Sequence, residues 1–366
     1  MSVSWRIWFA VLFLLVAGSA GAADQKTVHV YNWSDYITED TLAKFEQATG
    51  INVVYDVYDS NEMLEAKLLA GGSGYDVVFP SAQPFAARHV AAGVYRALDR
   101  SKLPNYKHLD GDVLKQLASA DPDARHLIPY MWGTTGIGYN VAKVQAALGE
   151  SAPANSWRLI FDPTIAAKLA GCGITLLDDA QEAFAAALIY LGKDPNSTAK
   201  ADIDTAQQLL KTLRPHIKYY HSSQYINDLA NGDICVAHGY SGDVIQAQER
   251  AEEAGNNVQI AYTIPEEGAI MWIDTMAIPK DAPHPDQAHA FIDFLLTPQI
   301  IAEITDYVAY ANGNAAATTL ISEEIRTDTS IYPSHDIMAR LSAPQLTPDA
   351  VQRQRTRSWT RIKSGQ

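Results

Sequence analysis

Val28-His29-Val30-Tyr31, Ile51-Asn52-Val53-Val54-Tyr55 and Tyr75-Asp76-Val77-Val78-Phe79 are three short runs rich in β-branched and aromatic residues, and what lies between them decides the fold. Between the first two, Thr38 is placed to N-cap a helix with Glu39 and Asp40 in its first turn, Leu42 and Phe45 on its core face, and Gly50 at its end. Between the second and third, Ser60 caps a helix with Leu64 and Leu68 one turn apart, stopped by Gly71-Gly72. Pro80 breaks the third strand. A β-α-β-α-β order predicts a parallel sheet covered by helices. Ligands of such sheets lie beyond the carboxyl ends of the strands. Here those ends carry the loops Trp33–Tyr36 and Pro80–Ser81.

A second α/β region follows the first. Ile174-Thr175-Leu176-Leu177 and Ile234-Cys235-Val236-Ala237 read as buried strands, with helices over Glu182–Leu191 and Asp204–Leu213. His284-Pro285 opens a further helix carrying Ala288, Phe291 and Leu295 and ending before Pro298. No Gly-, Ser- or Pro-rich tract separates the two regions, so they read as lobes joined by strands and not by a tether.

The N-terminus has the pattern of a secretory leader. Arg6 precedes the apolar run Ile7–Ala17, small residues follow, and Ala20-Gly21-Ala22 fits a cleavage site. The run is shorter than the roughly 20 residues a spanning helix needs. The expectation is a leader over 1–22, a mature chain from Ala23 or Asp24, and a periplasmic location. No Cys near the cleavage site suggests a lipid anchor.

The chain has 366 residues, with 28 Lys and Arg against 42 Asp and Glu and a formal net charge of −14. Arg6 is the one charge in the leader, so the mature chain is more acidic still. Such a surface repels nucleic acid and steers cations inward, although solubility alone would also account for it. Two cysteines, Cys172 and Cys235, predict one disulfide in an oxidising compartment, with two buried free thiols as the alternative. In the chain-entropy model that closure contributes roughly 4 kcal/mol, less any strain.

Motifs for catalysis do not assemble. Gly239-Tyr240-Ser241-Gly242 approaches a nucleophile elbow, but Asp243 stands where the last glycine belongs. Gly136-Ile137-Gly138 is a fragment of a dinucleotide fingerprint. The 10 histidines show no metal-ligand spacing. Neither a catalytic set nor a metal or cofactor site is expected.

What stands out instead is a set of aromatic–acid couplets at predicted loops and strand ends: Trp33-Ser34-Asp35-Tyr36, Tyr240-Ser241-Gly242-Asp243 and Trp272-Ile273-Asp274. Aromatic faces attract ammonium ions by about 0.5–2 kcal/mol and stack on methylenes. Carboxylates accept the N–H donors of a protonated amine in charge-assisted bonds. Each couplet alone is ordinary packing and capping. Together they suit a ligand with ammonium ends on an alkyl chain.

With these residues in view the chain resembles the substrate-binding proteins of spermidine/putrescine ABC importers. The resemblance is carried by Tyr31-Asn32-Trp33-Ser34-Asp35-Tyr36-Ile37, Gly74-Tyr75-Asp76-Val77-Val78 with Pro80-Ser81, and Pro129-Tyr130-Met131-Trp132-Gly133-Thr134. It continues through His221-Ser222-Ser223-Gln224-Tyr225, Gly232-Asp233-Ile234-Cys235 and Ile264-Pro265-Glu266-Glu267-Gly268. It implies a periplasmic-binding fold of the second type, with two α/β lobes of discontinuous segments around a cleft. The first lobe would comprise 24–133 and 258–302, the second 134–257 and 303–366.

The resemblance also implies a ligand set. Trp33, Ser34, Asp35, Tyr36, Ser81, Trp272 and Asp274 would form one face, and Tyr240, Asp243 and Tyr310 the other. Asp35 and Asp274 would hold one ammonium, and Asp243 with Tyr310 the second. Three positions depart from the family's usual residues: Gln181 where a Glu is frequent, Trp272 where Phe is common, and Tyr240 in place of a frequent Trp. Without an anion at Gln181 a compact diamine is held less well, so spermidine is expected over putrescine. The expected partners are a polyamine and, transiently, a membrane permease, and a monomer suits a diffusing carrier. Another small cation or amino compound as ligand, or a secreted enzyme on the same two-lobed scaffold, would be the competing reading.

Overall fold

The computed structural model describes residues 26–365; the expected leader, 1–22, lies outside them. Eleven strands among the described residues form one mixed sheet: β1 (Thr27–Trp33), β2 (Asn52–Tyr58), β3 (Val77–Val78), β4 (Leu127–Asn140), β5 (Ile174–Leu176), β6 (Ile217–Tyr220), β7 (Val236–Tyr240), β8 (Ile260–Thr263), β9 (Ala269–Ala277), β10 (Ala311–Asn312) and β11 (Leu341–Ser342). The strand order is β2-β1-β3-β9-β4-β7-β5-β6, with β8 and β10 paired to β4 and β11 to β9.

This order contains two parallel wings. In one, β1 lies between β2 and β3; in the other, β5 lies between β6 and β7. Antiparallel β9 and β4 join them, with Leu127 to Thr135 of β4 facing β9 and Thr135 to Tyr139 facing β7. The Gly136-Ile137-Gly138 fragment sits inside β4, where a Cβ on Gly136 would lie 2.4 Å from the Thr263 carbonyl oxygen. Its glycine serves strand packing against β8.

The caps read from sequence are in place. The Thr38 side chain accepts from the Thr41 amide, and Gly50 closes that helix at φ 68°. The Ser60 side chain accepts from Met63 at the start of the helix Asn61–Leu69. Phe45 buries its ring edge-on against Phe291, 5.0 Å between centroids, which fastens the helix Glu39–Thr49 to Pro285–Leu295. The third strand is shorter than its sequence suggests. The Asp76 carboxylate is engaged by the amides of His29 and His284, so side-chain bonds replace part of the ladder there.

Cys172 and Cys235 form a disulfide that ties the chain just before β5 to the chain just before β7. This excludes the alternative of two free thiols and leaves neither sulfur as a nucleophile. The helix Asp349–Ser364 packs on the second wing, where Trp359 and Lys363 both reach Asp178. No helix among the described residues is long and apolar enough to cross a membrane.

Candidate functional site

One cavity collects the carboxyl ends of strands from both wings. From the first wing, Trp33, Ser34 and Tyr36 follow β1, Asp59 follows β2 and Ser81 follows β3; Trp272 and Asp274 project from β9. From the second, Gln181 follows β5 and Tyr240 and Asp243 follow β7; Tyr310 closes the set just before β10. All the expected ligand residues except Asp35 line this space.

Asp35 is the exception. It occupies a left-handed turn, φ 55°, and its carboxylate pairs with Arg250 at 2.7 Å, more than a third exposed. The expectation that Asp35 and Asp274 share an ammonium is therefore corrected. A turn that brings Trp33, Ser34 and Tyr36 to the cavity sends Asp35 outward.

Asp274 is buried and bracketed by hydroxyls. Ser81 Oγ donates to its Oδ1 at 2.6 Å and Tyr36 Oη to its Oδ2 at 3.0 Å. Asn61 holds Ser81 in turn, donating to its Oγ at 3.0 Å and accepting from its amide at 3.1 Å. Asp243 has the same design on the other wing. Tyr310 donates to Oδ1 at 2.6 Å and Tyr225 to Oδ2 at 2.7 Å. Burial pushes Asp274 up to about 7 and Asp243 up to about 6, and the hydroxyl donors hold both lower than burial alone would. In both, a bound cation would favour the ionised carboxylate.

Rings stand between the two acids. Trp272 lies 5.6 Å from Tyr240 and 5.3 Å from Tyr310, and Tyr310 meets Tyr36 edge-on at 5.3 Å. Trp272 is pinned by its indole N–H on Thr135 Oγ1 at 3.2 Å. Gly133 makes room for it, since a Cβ there would sit 2.9 Å from the indole. Trp33 is fixed by its N–H on the Phe79 carbonyl at 2.8 Å. Aromatic walls of this kind suit methylene chains and cations.

A third wall comes from the first turn of the helix Ala180–Tyr190. Asp179 caps it, accepting from the Glu182 amide at 3.0 Å. Gln181 and Glu182 are both more than nine-tenths buried. Burial, with Asp179 adding to it, raises the Glu182 carboxyl to about 8, and its Oε2 is buried without a partner. So carboxyl groups do line the wall at Gln181, and burial favours the protonated form of Glu182. Asp59 spans the wings, accepting from Ser34 at 2.7 Å and from Ser223 at 3.2 Å.

Several of these residues were not singled out from sequence. Asp59, Asp179 and Ser222-Ser223 each follow a parallel strand, β2, β5 and β6, and the rule that ligands lie beyond strand ends could have found them. The cavity lining includes five carboxyl groups, Asp59, Asp179, Glu182, Asp243 and Asp274, and no Lys, Arg or His. Buried acids without a basic partner leave a deficit of positive charge that a ligand can fill. No three His, Cys, Asp or Glu side chains among the described residues converge as a metal site.

Comparison with known proteins follows the same direction. A family model described as bacterial extracellular solute-binding protein matches residues 40–332. The chain is 57% identical over 350 residues to the putrescine-binding periplasmic protein SpuD of Pseudomonas aeruginosa, covering 96% of this chain and 95% of that protein. It is 56% identical over 355 residues to the putrescine-binding periplasmic protein PotF of Escherichia coli, again covering 96% and 95%. A solved structure titled as a putative spermidine/putrescine ABC transporter from Listeria monocytogenes superposes with a TM-score of 0.81 at 33% identity, covering 93% of this chain and 100% of that one.

Proposed function

Because the chain belongs to the bacterial extracellular solute-binding proteins, we propose that its cavity captures a polyamine and that the loaded protein delivers it to an ABC importer. The fold is the periplasmic-binding fold of the second type expected from sequence. Membership places the chain among binding proteins and not among enzymes. The observation that carries the proposal is the five carboxyl groups facing the cavity without one basic side chain. An amino acid would need a cation for its carboxylate, and none faces the cavity.

In this reading the ammonium ends of the ligand sit at Asp274 and Asp243, and the rings of Trp272, Tyr240, Tyr310 and Tyr36 enclose its methylenes. The lobes are 24–133 with 258–302 and 134–257 with 303–366, and the chain crosses between them near Gly133, Val258 and Ala302. Closure is favourable when one ligand answers a carboxylate from each lobe. Export through the leader 1–22 brings the protein to the periplasm, where it works as a monomer.

The finer proposal is a preference for spermidine over putrescine. SpuD and PotF are named for putrescine; the preference rests on the uncharged Gln181 in the cavity wall. Gln181 carries no charge and burial favours the protonated form of Glu182, so at these two positions the third wall holds an ammonium less well than Asp243 and Asp274 do. Calorimetric titration of the ligand-stripped protein with spermidine, putrescine, cadaverine and arginine tests both levels. Saturable binding of spermidine, then putrescine, is expected, with arginine silent. Silence from every polyamine would overturn the function, and putrescine tighter than spermidine would overturn the preference alone.

A further inference from the structure

Arg355 is fully buried in the helix Asp349–Ser364. Two turns on, Lys363 of the same helix has a carboxylate, Asp178, at 2.5 Å; Arg355 has no ion pair among the described residues. Its Nη1 donates to Gln181 Oε1 at 2.9 Å and its Nη2 to the Ser197 carbonyl at 2.8 Å, while its Nε is buried without a partner. The charge therefore lies directly behind a residue that lines the cavity.

That contact decides how Gln181 is oriented. A guanidinium has donors and no acceptor, so only the oxygen of the Gln181 amide can face it. The amide nitrogen is then turned the other way, toward the cavity, where it has no partner among the described residues. Gln181 is 5% exposed and cannot reorient into solvent to escape this arrangement. The backbone N–H groups of the first helical turn add positive potential on the same side. Asp179 caps the same turn through its Oδ1 and remains a carboxyl group on that wall.

We propose that Arg355 is a specificity-determining positioning residue: it locks Gln181 with N–H donors toward the cavity, closes that wall to an ammonium ion, and so confines the cationic ends of the ligand to Asp243 and Asp274. The proposal rests on the polyamine reading and deepens it. Position 181 becomes a gate against amines short enough to need a third anchoring point. A glutamate at this position would reverse the polarity, since one carboxylate oxygen would answer Arg355 and the other would accept from the ligand. Removing the guanidinium would free the amide to flip its oxygen toward an ammonium.

The experiment measures dissociation constants of putrescine and spermidine, with thermal midpoints, for ligand-stripped wild type, Gln181→Glu and Arg355→Met. Gln181→Glu is expected to tighten putrescine by about tenfold, to lower the spermidine-to-putrescine preference, and to raise the thermal midpoint as Arg355 gains a carboxylate. Arg355→Met is expected to tighten putrescine by about threefold, because the amide can then turn. A purely structural role for Arg355 would move the thermal midpoint and leave the preference where it was. If Arg355→Met fails to fold, Gln181→Glu decides. A preference unchanged within about twofold in a folded Gln181→Glu protein overturns the role of Arg355 while leaving polyamine binding intact. Wild type that binds neither amine overturns both.

Discussion

Two regions of the cavity hold buried carboxyl groups, and they hold them differently. Asp274 and Asp243 come from different wings, yet each is bracketed by two hydroxyl donors, Ser81 with Tyr36 and Tyr225 with Tyr310. Glu182, on the helix that follows β5, has one oxygen buried without a partner. All three are raised by burial, to about 7, 6 and 8 respectively. The difference teaches what makes a buried acid a cation site. Two hydroxyl donors at each of Asp274 and Asp243 favour the ionised form against burial, whereas Glu182 has Thr135 as its side-chain donor and is raised to the highest value of the three.

The largest effect expected is at Asp274. Asp274→Asn removes the charge but keeps the shape, and should weaken spermidine by at least about 100-fold, as truncating a buried charge pair does. Asp243→Asn should follow at about 30-fold, since its carboxyl is the less perturbed of the two. Calorimetry on ligand-stripped variants checks both. Affinity within a few-fold of wild type in either would break the contrast.

Effects of pH come next. Asp274 and Asp243 hold protons in the empty folded protein that the unfolded chain, with carboxyls near 3.8, has already released. The folded state therefore binds more protons between about pH 4 and 7, and ligand-free stability falls as pH rises through that window. An ammonium ligand favours the ionised carboxylates, so affinity should rise by roughly tenfold from pH 6 to pH 8. Thermal midpoints of the stripped protein and titrations at the two pH values measure this. A flat affinity profile would mean that the bracketed acids are already ionised.

Smaller effects sharpen the comparison from the other side. Glu182→Gln replaces a protonated carboxyl by a neutral amide and should change spermidine affinity by less than about threefold at pH 7. A loss as large as that of Asp243→Asn would place an ionised anion on the third wall. Asp35→Asn breaks the partly exposed pair with Arg250 and should be smaller again, under about threefold in titration, in keeping with about 0.2–1 kcal/mol for such pairs.

The contrast also marks how far the sequence is legible. Thr38, Ser60 and the three strand runs announce the first wing, because caps and alternation are local signals. Trp33, Asp243, Trp272 and Asp274 are legible as couplets at strand ends. Asp35 belongs to the same couplet as Trp33 and is misplaced by it, because a single left-handed residue turns its side chain to Arg250, far along the chain. The hydroxyl brackets escape sequence reading for the same reason: Tyr36 meets Asp274 across 238 positions and Tyr310 meets Asp243 across 67. Arg355 behind Gln181 is 174 positions away from it, and no periodicity links the two. Local chemistry chooses the elements, and tertiary placement chooses which charges are answered.

The central claim is that two bracketed carboxyls receive the ammonium ends of a polyamine, with Asp274 giving up a proton as the ligand binds. It is tested most directly by titrating spermidine into ligand-stripped protein near pH 7 in two buffers of different ionisation enthalpy. The account predicts saturable binding with a net release of protons to the buffer, a release that shrinks in Asp274→Asn. Binding with the same heat in both buffers, or no binding at all, would contradict it.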